Sequence, residues 1–562
     1  MGASVARLRA MATLVVAVAP TVLHAQTPAT APTRQELNPA ARSEQLQAPQ
    51  PDLFSAPGAG NCPLAENPAP LTVTSVRLNG LESVPVEALR PAYAPFLNRS
   101  GGDAADLCKI RDAVADAMFD RGILARVEIP AQTIDGGAAT LEVIEARIVN
   151  VSLRGDPGPA APALEKYAAK LRGMKPFDIN RVQRYILLAS DVPGLKVRAS
   201  VRPNPSGERG AVDLDLNVER DEEELIVNAQ NLQGKATGRW GALARYDLNA
   251  RSRYGERLTL VGYRTVFHNE QWVVQALNEA RFGGDGWVVR GGVAYGESHP
   301  GGALKGLGLK SVSVVGNLEA AYPLVRKRRE NVWVAGGFEY IDQDTRLSGG
   351  GKLINDDLRI FYARVEADQT AYYGYRPIVL RGSVGVRRGI EGFGATDEGD
   401  RLLSRFGAKP AAWTVIGEAS AQAVITPRLQ AYLEVSGQYA DQALAAYEEF
   451  SVGSLTVGRG YDPGYISGDK AIAATFELRA GPFQPAAGWT FSPYGFFDIA
   501  HTSDQDRGGF NQTVKSVGVG FQMPVRDRWT LDVSYARPLD KAAFDRSKPP
   551  GRLLVNFTAR FF

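Results

Sequence analysis

Cysteine, histidine, long apolar runs and an excess of charge of either sign are all scarce in this sequence. Two cysteines, Cys62 and Cys108, and four histidines, His24, His268, His299 and His501, are spread over 562 residues. That scatter offers no set with the spacing of a metal site, and no cofactor is expected. The 64 basic and 61 acidic residues leave a net charge of only +3. So even a balance, with no basic cluster longer than VRKRRE (Val325 to Glu330), argues against nucleic acid as a partner. Past residue 25 no apolar run approaches the roughly 18 residues that a membrane-crossing helix needs.

What is present begins with an export signal. Arg7 and Arg9 precede an apolar stretch from Ala10 to Ala19, and the small residue Ala25 marks a cleavage point, so residues 1–25 read as a secretory signal peptide. An exported chain without a spanning helix is either soluble or a membrane β-barrel. In an exported chain an even pair of cysteines favours a disulfide, Cys62 to Cys108, over two unpaired thiols. Residues 26–70 hold nine prolines among Ala, Thr, Gln and Gly, a composition that reads as an extended linker. Within it Thr33 to Gln47 has helical character that Pro39 interrupts, so any helix there is short or kinked.

From Leu71 the texture changes. LTVTSVRLNG alternates as a strand, ADLCKIRDAVADAMFDRG places Leu107, Ile110, Val114 and Met118 at helical spacing, and ATLEVIEARIVNVSLRG returns to strand. The order strand, helix, helix, strand, strand then repeats through DINRVQRYILLASDV to AVDLDLNVER, which gives two similar domains at 71–146 and 147–221. Past Arg220 helical spacing disappears. Leu429, Ala431, Leu433, Val435 and Tyr439 share one face of a strand, as do Ile472, Ala474, Phe476 and Leu478, and Trp529, Leu531, Val533 and Tyr535. The span 222–562, at about 20 residues per strand and connection, makes roughly 16 antiparallel strands. A sandwich of that size without helical cover would expose its edges, whereas a barrel has none.

The stretch TVGRGYDPGYISGD, Thr456 to Asp469, sets one arginine among four glycines between strands. With the signal peptide, the tandem domains, the barrel and this loop, the chain resembles the outer-membrane transporters of two-partner secretion, relatives of the haemolysin and filamentous haemagglutinin exporters. The first domain carries the resemblance through RGILARVEIPAQTIDGG and LEVIEARI, with Ile123 and Ala146 where the family customarily has Tyr and Gly. The family's Val-Arg-Gly-Tyr loop motif falls on Val457, Arg459, Gly460 and Tyr461, with Gly458 inserted. The resemblance implies two periplasmic POTRA domains, a barrel in the Gram-negative outer membrane, and a loop, 451–470, folded back into the lumen. It also implies an ion pair from Arg459 to the Asp of a Phe-x-Asp motif, here Phe496 and Asp498. Alternation supports that placement independently: Phe491, Phe497 and Ile499 share the outward parity, so Asp498 faces the lumen.

The expected partners are a large secreted exoprotein with an N-terminal secretion domain, outer-membrane lipid, and the barrel assembly machinery that inserts the barrel. An assembly factor of the same superfamily is the alternative, and such factors commonly carry more POTRA domains than two. A passive porin would leave the periplasmic domains without purpose. No enzyme is expected. GESHPG (Gly296 to Gly301) sets Ser beside His but has Pro300 where a nucleophile elbow needs its second glycine, and GALKGLGLKS (Gly302 to Ser311) lacks the order of a phosphate loop.

Overall fold

A computed structural model describes residues 31–40, 62, 64, 66 and 69–562, except 268–269, 506–510, 527 and 544. The signal-peptide expectation and Ala41 to Gln47 lie outside the described residues. Cys62 is disulfide-bonded to Cys108, which fastens the linker to the helix Asp106–Asp120.

Two small units precede the barrel, built alike. In the first, strand Ser75–Asn79 runs parallel to Ala138–Glu145, which pairs antiparallel with Ala125–Glu128. Helices Val86–Tyr93 and Asp106–Asp120 cover one face, and Leu89, Ile110, Val114 and Met118 are fully buried against Leu141. The second repeats the scheme with strands Arg147–Gly155, Leu195–Pro203 and Ala211–Arg220, the last at the centre, under helices Ala161–Ala169 and Ile179–Ser190. Asp178 caps that last helix by accepting the N–H groups of Asn180 and Arg181, and Ile179, Val182, Ile186 and Ala189 recur at helical spacing on its buried face. In the segment Pro130-Ala131-Gln132 of the first unit, the Gln132 side chain exchanges two 2.7 Å hydrogen bonds with the main chain of Thr140, as a paired strand would.

Sixteen antiparallel strands from Glu223–Gln230 to Arg552–Phe561 close into a barrel, with the four-residue segment Phe483–Ala486 as an added arm. Apolar side chains point outward: Val293, Leu318, Ile472 and Val519 are each more than half exposed. Polar ones line the lumen, among them Glu319, Glu477 and Asp498. Trp287, Trp489 and Trp529 open strands at the end that carries the two units, and Trp413 opens one at the far end, as rim aromatics do in a membrane barrel. Among the described residues no helix is long and apolar enough to cross a membrane.

The second unit docks on the near end of the barrel. Arg326 grips the Asp191 carboxylate with two bonds of 2.7 and 2.6 Å, and Arg184 donates to the Pro323 carbonyl at 2.8 Å. Lys170 meets Asp285 in an adjacent turn.

Candidate functional site

The loop 441–469 leaves the far end of strand Leu429–Ala440 and turns back into the lumen. A short hairpin, Phe450–Val452 with Ile466–Gly468, forms its stem. Val457 is buried at the tip with Val452, Ile466, Ala473 and Val514, so the loop has its own apolar core against the wall. Gly453 and Gly458 take φ of 153° and 109°, and a Cβ on Gly453 would sit 2.3 Å from the Asp462 carbonyl, a turn that side chains forbid. Gly460 is required for another reason. A Cβ there would come within 2.9 Å of Ser516 and 3.0 Å of Pro538.

Arg459 reaches the wall from this tip. Its Nη2 lies 2.9 Å from Asp498 Oδ1, its Nε and main-chain N–H both donate to Oδ2, and Nη1 lies 3.0 Å from Glu477 Oε2. The guanidinium also stacks on Phe496, 3.5 Å from the ring centroid. Phe496 fits because its cross-strand partner is Gly518, where a Cβ would strike the ring at 2.3 Å. Asp498 is fully buried and accepts Thr475 and Ser516 hydroxyls besides. Tyr461, also fully buried, donates its hydroxyl to the Lys515 carbonyl at 2.7 Å and stacks on Tyr465. Together these contacts bury one cation between two anions, with every oxygen of Asp498 bonded, which is the arrangement in which a buried ion pair holds.

Two further parts fill the lumen. Residues 31–40 lie inside the barrel, with a helix of four residues, Arg34–Leu37, capped by Thr33 and Glu36 in a reciprocal pair. Arg34 bonds Glu448 of the inner loop and stacks over Tyr447, while Arg387 of the wall holds the same Glu448 at 2.9 Å and also reaches Glu339. Burial alone would raise the Glu448 pKa, but Arg34 and Arg387 hold it well below the usual carboxylate range. Wall glutamines grip the plug's main chain: Gln343 donates to the Pro32 carbonyl, and Gln275 bonds Leu37 and Ala40. At the far mouth Arg405, from the loop 390–412, meets Asp469, Glu449 and Asp504 at 2.5, 2.9 and 3.4 Å.

The structure thus brings Val457, Arg459, Gly460, Tyr461, Phe496 and Asp498 to one place, and sets the Cys62–Cys108 bond apart from them, on the first N-terminal unit. Sequence reasoning missed Glu477, although the outward run Ile472, Ala474, Phe476 and Leu478 already fixed its inward parity. It also missed Ser516, Arg552 and the Arg34–Glu448–Arg387 chain, which nothing in local sequence joins.

The fold and this loop define a class: an outer-membrane transporter in which periplasmic POTRA-type units precede a sixteen-stranded barrel. Residues 295–523 match the family of the haemolysin secretion/activation proteins ShlB/FhaC/HecB, and residues 71–146 match the ShlB-type POTRA domain. These matches support a two-partner secretion outer-membrane transporter. Among solved structures, CdiB from Escherichia coli is similar at 18% identity over 92% of this chain and 94% of its own, with a TM-score of 0.71. CdiB from Acinetobacter baumannii is similar at 15% identity over 94% and 97%, TM-score 0.64. BamA from Haemophilus ducreyi lacking POTRA domains 1-3 is similar at 13% over 88% and 100%, TM-score 0.54. At these identities the likeness is one of fold. Comparison with curated proteins gave no match.

Proposed function

We propose that the protein captures one large exoprotein in the periplasm through that client's N-terminal secretion domain and threads it unfolded through the barrel to the cell surface. The units at 71–146 and 147–221 do the capturing. The observation that carries this reading is the edge of strand Ala125–Glu128, free among the described residues, beside helix Asp106–Asp120 and above a groove of about 1330 Å³ lined by Leu107, Ala115, Leu124, Ile129 and Ile134. An unfolded segment can add to such an edge as a strand, gaining main-chain hydrogen bonds with little demand on its sequence. Passage then requires the lumen's fillings to move. Residues 31–40 are held by a handful of polar contacts and can leave, whereas Arg459 and Asp498 keep the inner loop in the conformation that lets a chain pass. The apolar belt faces outer-membrane lipid, and the barrel reaches that membrane through the cell's barrel assembly machinery.

A photo-crosslinking residue in place of Arg126, an exposed position on the free edge, tests the capture step in living cells. The expected product is a covalent adduct with one large exported protein. Adducts with a range of newly made barrel proteins would move the reading to an assembly factor.

A further inference from the structure

The inner loop has several anchors, and Arg459 is only one of those at its tip. Another is Arg552, which opens the last barrel strand and is 6% exposed. Its Nη1 donates to the Tyr461 main-chain oxygen and to Ser454 Oγ at 3.0 Å, and lies 3.1 Å from Asp462 Oδ1. Its Nη2 donates to the main-chain oxygens of Gln233 at 3.0 Å and Leu232 at 3.3 Å, both in the loop 231–240. Asp462 completes the bridge, accepting the Lys235 N–H at 3.1 Å and lying 3.4 Å from Arg239.

What lies beneath these contacts is the seam that closes the barrel. The first and last strands pair over six residues, Leu225 with Phe561 to Gln230 with Asn556. Every other pair of adjacent full strands shares at least eight, as the neighbouring ladders do. Above Gln230 one further main-chain bond, from the Asn231 N–H to the Val555 carbonyl at 3.1 Å, ends the ladder, and side chains take over. Asn231 donates from Nδ2 to the Leu553 carbonyl and accepts the Val555 N–H, and Arg552 spans the remaining gap. On the opposite side the same loop tip is fixed by Arg459 to Glu477 and Asp498, and by Gly460 to Ser516. The tip therefore runs from the wall on one side of the seam to the loop 231–240 on the other. Only a guanidinium, with five donors in a planar fork, can serve carbonyls of two segments and a carboxylate together.

We infer that Arg552 is a positioning residue that makes the inner loop a strap across the barrel seam, so that the loop tip and the seam hold or release together. The inference rests on the reading of this loop as the transport element. Loss of the fork takes a donor from five acceptors and frees the seam's far half, while the six-residue ladder and the Arg459 site stay in place.

The test uses the purified full-length protein in lipid nanodiscs, with nitroxide labels at Lys235→Cys and Lys548→Cys, exposed positions that flank the seam; no free thiol competes for label. Pulsed electron paramagnetic resonance should give one narrow distance in the parent. In Arg552→Gln and Arg552→Lys the distribution should broaden toward longer distances, and planar-bilayer recordings should show a rise in open probability of about ten-fold, the effect of losing a net hydrogen bond or two. Lysine keeps the charge beside Asp462 and loses the fork, so it should not rescue. Parent-like distances in either variant that retains a heat-modifiable barrel would overturn the proposal. Should both variants fail to assemble, Asp462→Asn, which weakens the same bridge from the loop side, carries the test with the same two outcomes. No client is present, so a wrong assignment of the transported partner would leave these distances as expected.

Discussion

Arg459 has three routes to the wall, and among the described residues it is the one cation that pairs with Asp498. Removing the guanidinium leaves a fully buried carboxylate with only two hydroxyls and a main-chain N–H, a loss on the order of 3–5 kcal/mol for the loop's docked state. Arg459→Ala should therefore reduce secretion at least ten-fold while the barrel still assembles and shows its heat-modifiable band. Asp498→Ala should do the same, and the double variant should be no worse than either, because the two side chains act as one unit. Normal secretion by Arg459→Ala would contradict the role given to the loop. These partners were legible because strand parity is a property of neighbours: once Phe497 and Ile499 face lipid, Asp498 must face the lumen. Arg552 was not legible. Its acceptors lie 90 or more residues away and are mostly main-chain oxygens, which carry no mark in a sequence.

At the scale of elements, the plug and the mouth loops make separate predictions. Arg34→Ala removes the side chain that joins the plug to the inner loop, while Glu448 keeps Arg387. Open events in bilayer recordings should become several-fold more frequent, and an unchanged trace would show that the glutamine grips on the plug's main chain suffice. At the mouth, burial pushes the Glu449 carboxyl up to about 7 from its ordinary 4.5, Arg405 lowering it and Asp469 and Asp504 raising it further. Ser467 donates to it from the same loop. A raised value in the packed state means that packing favours the protonated form. The packed arrangement is thus most stable below about pH 4.5 and loses this advantage as pH rises through 7. The mouth loops should open more often at pH 8 than at pH 5.5, and Glu449→Gln should abolish the difference. The disulfide closes a 46-residue separation, worth about 4 kcal/mol by loop entropy, so Cys62→Ser with Cys108→Ser should make the first unit more sensitive to protease in urea. The plug's short helix was half visible in sequence: Thr33 and Glu36 have the spacing of a reciprocal cap and Pro39 sets a limit, but the lumen that holds them is built by strands more than 200 residues downstream.

At the scale of the whole molecule, alternation and length sufficed to indicate sixteen strands, because a closed antiparallel barrel in lipid has few ways to use 340 residues. The docking of the second unit through Asp191 and Arg326 was invisible, since surface charges carry no address. The central claim is that this assembly serves one dedicated client. Quantitative mass spectrometry of culture medium, cell surface and outer membrane, comparing the parent strain with one lacking the gene, tests it most directly. Loss of one or two large exported proteins, restored by the parent gene and not by the Arg459→Ala form, with all other barrels unchanged, is the predicted result. A general fall in outer-membrane barrels, with no single exported protein lost, would contradict the account and mark an assembly factor instead.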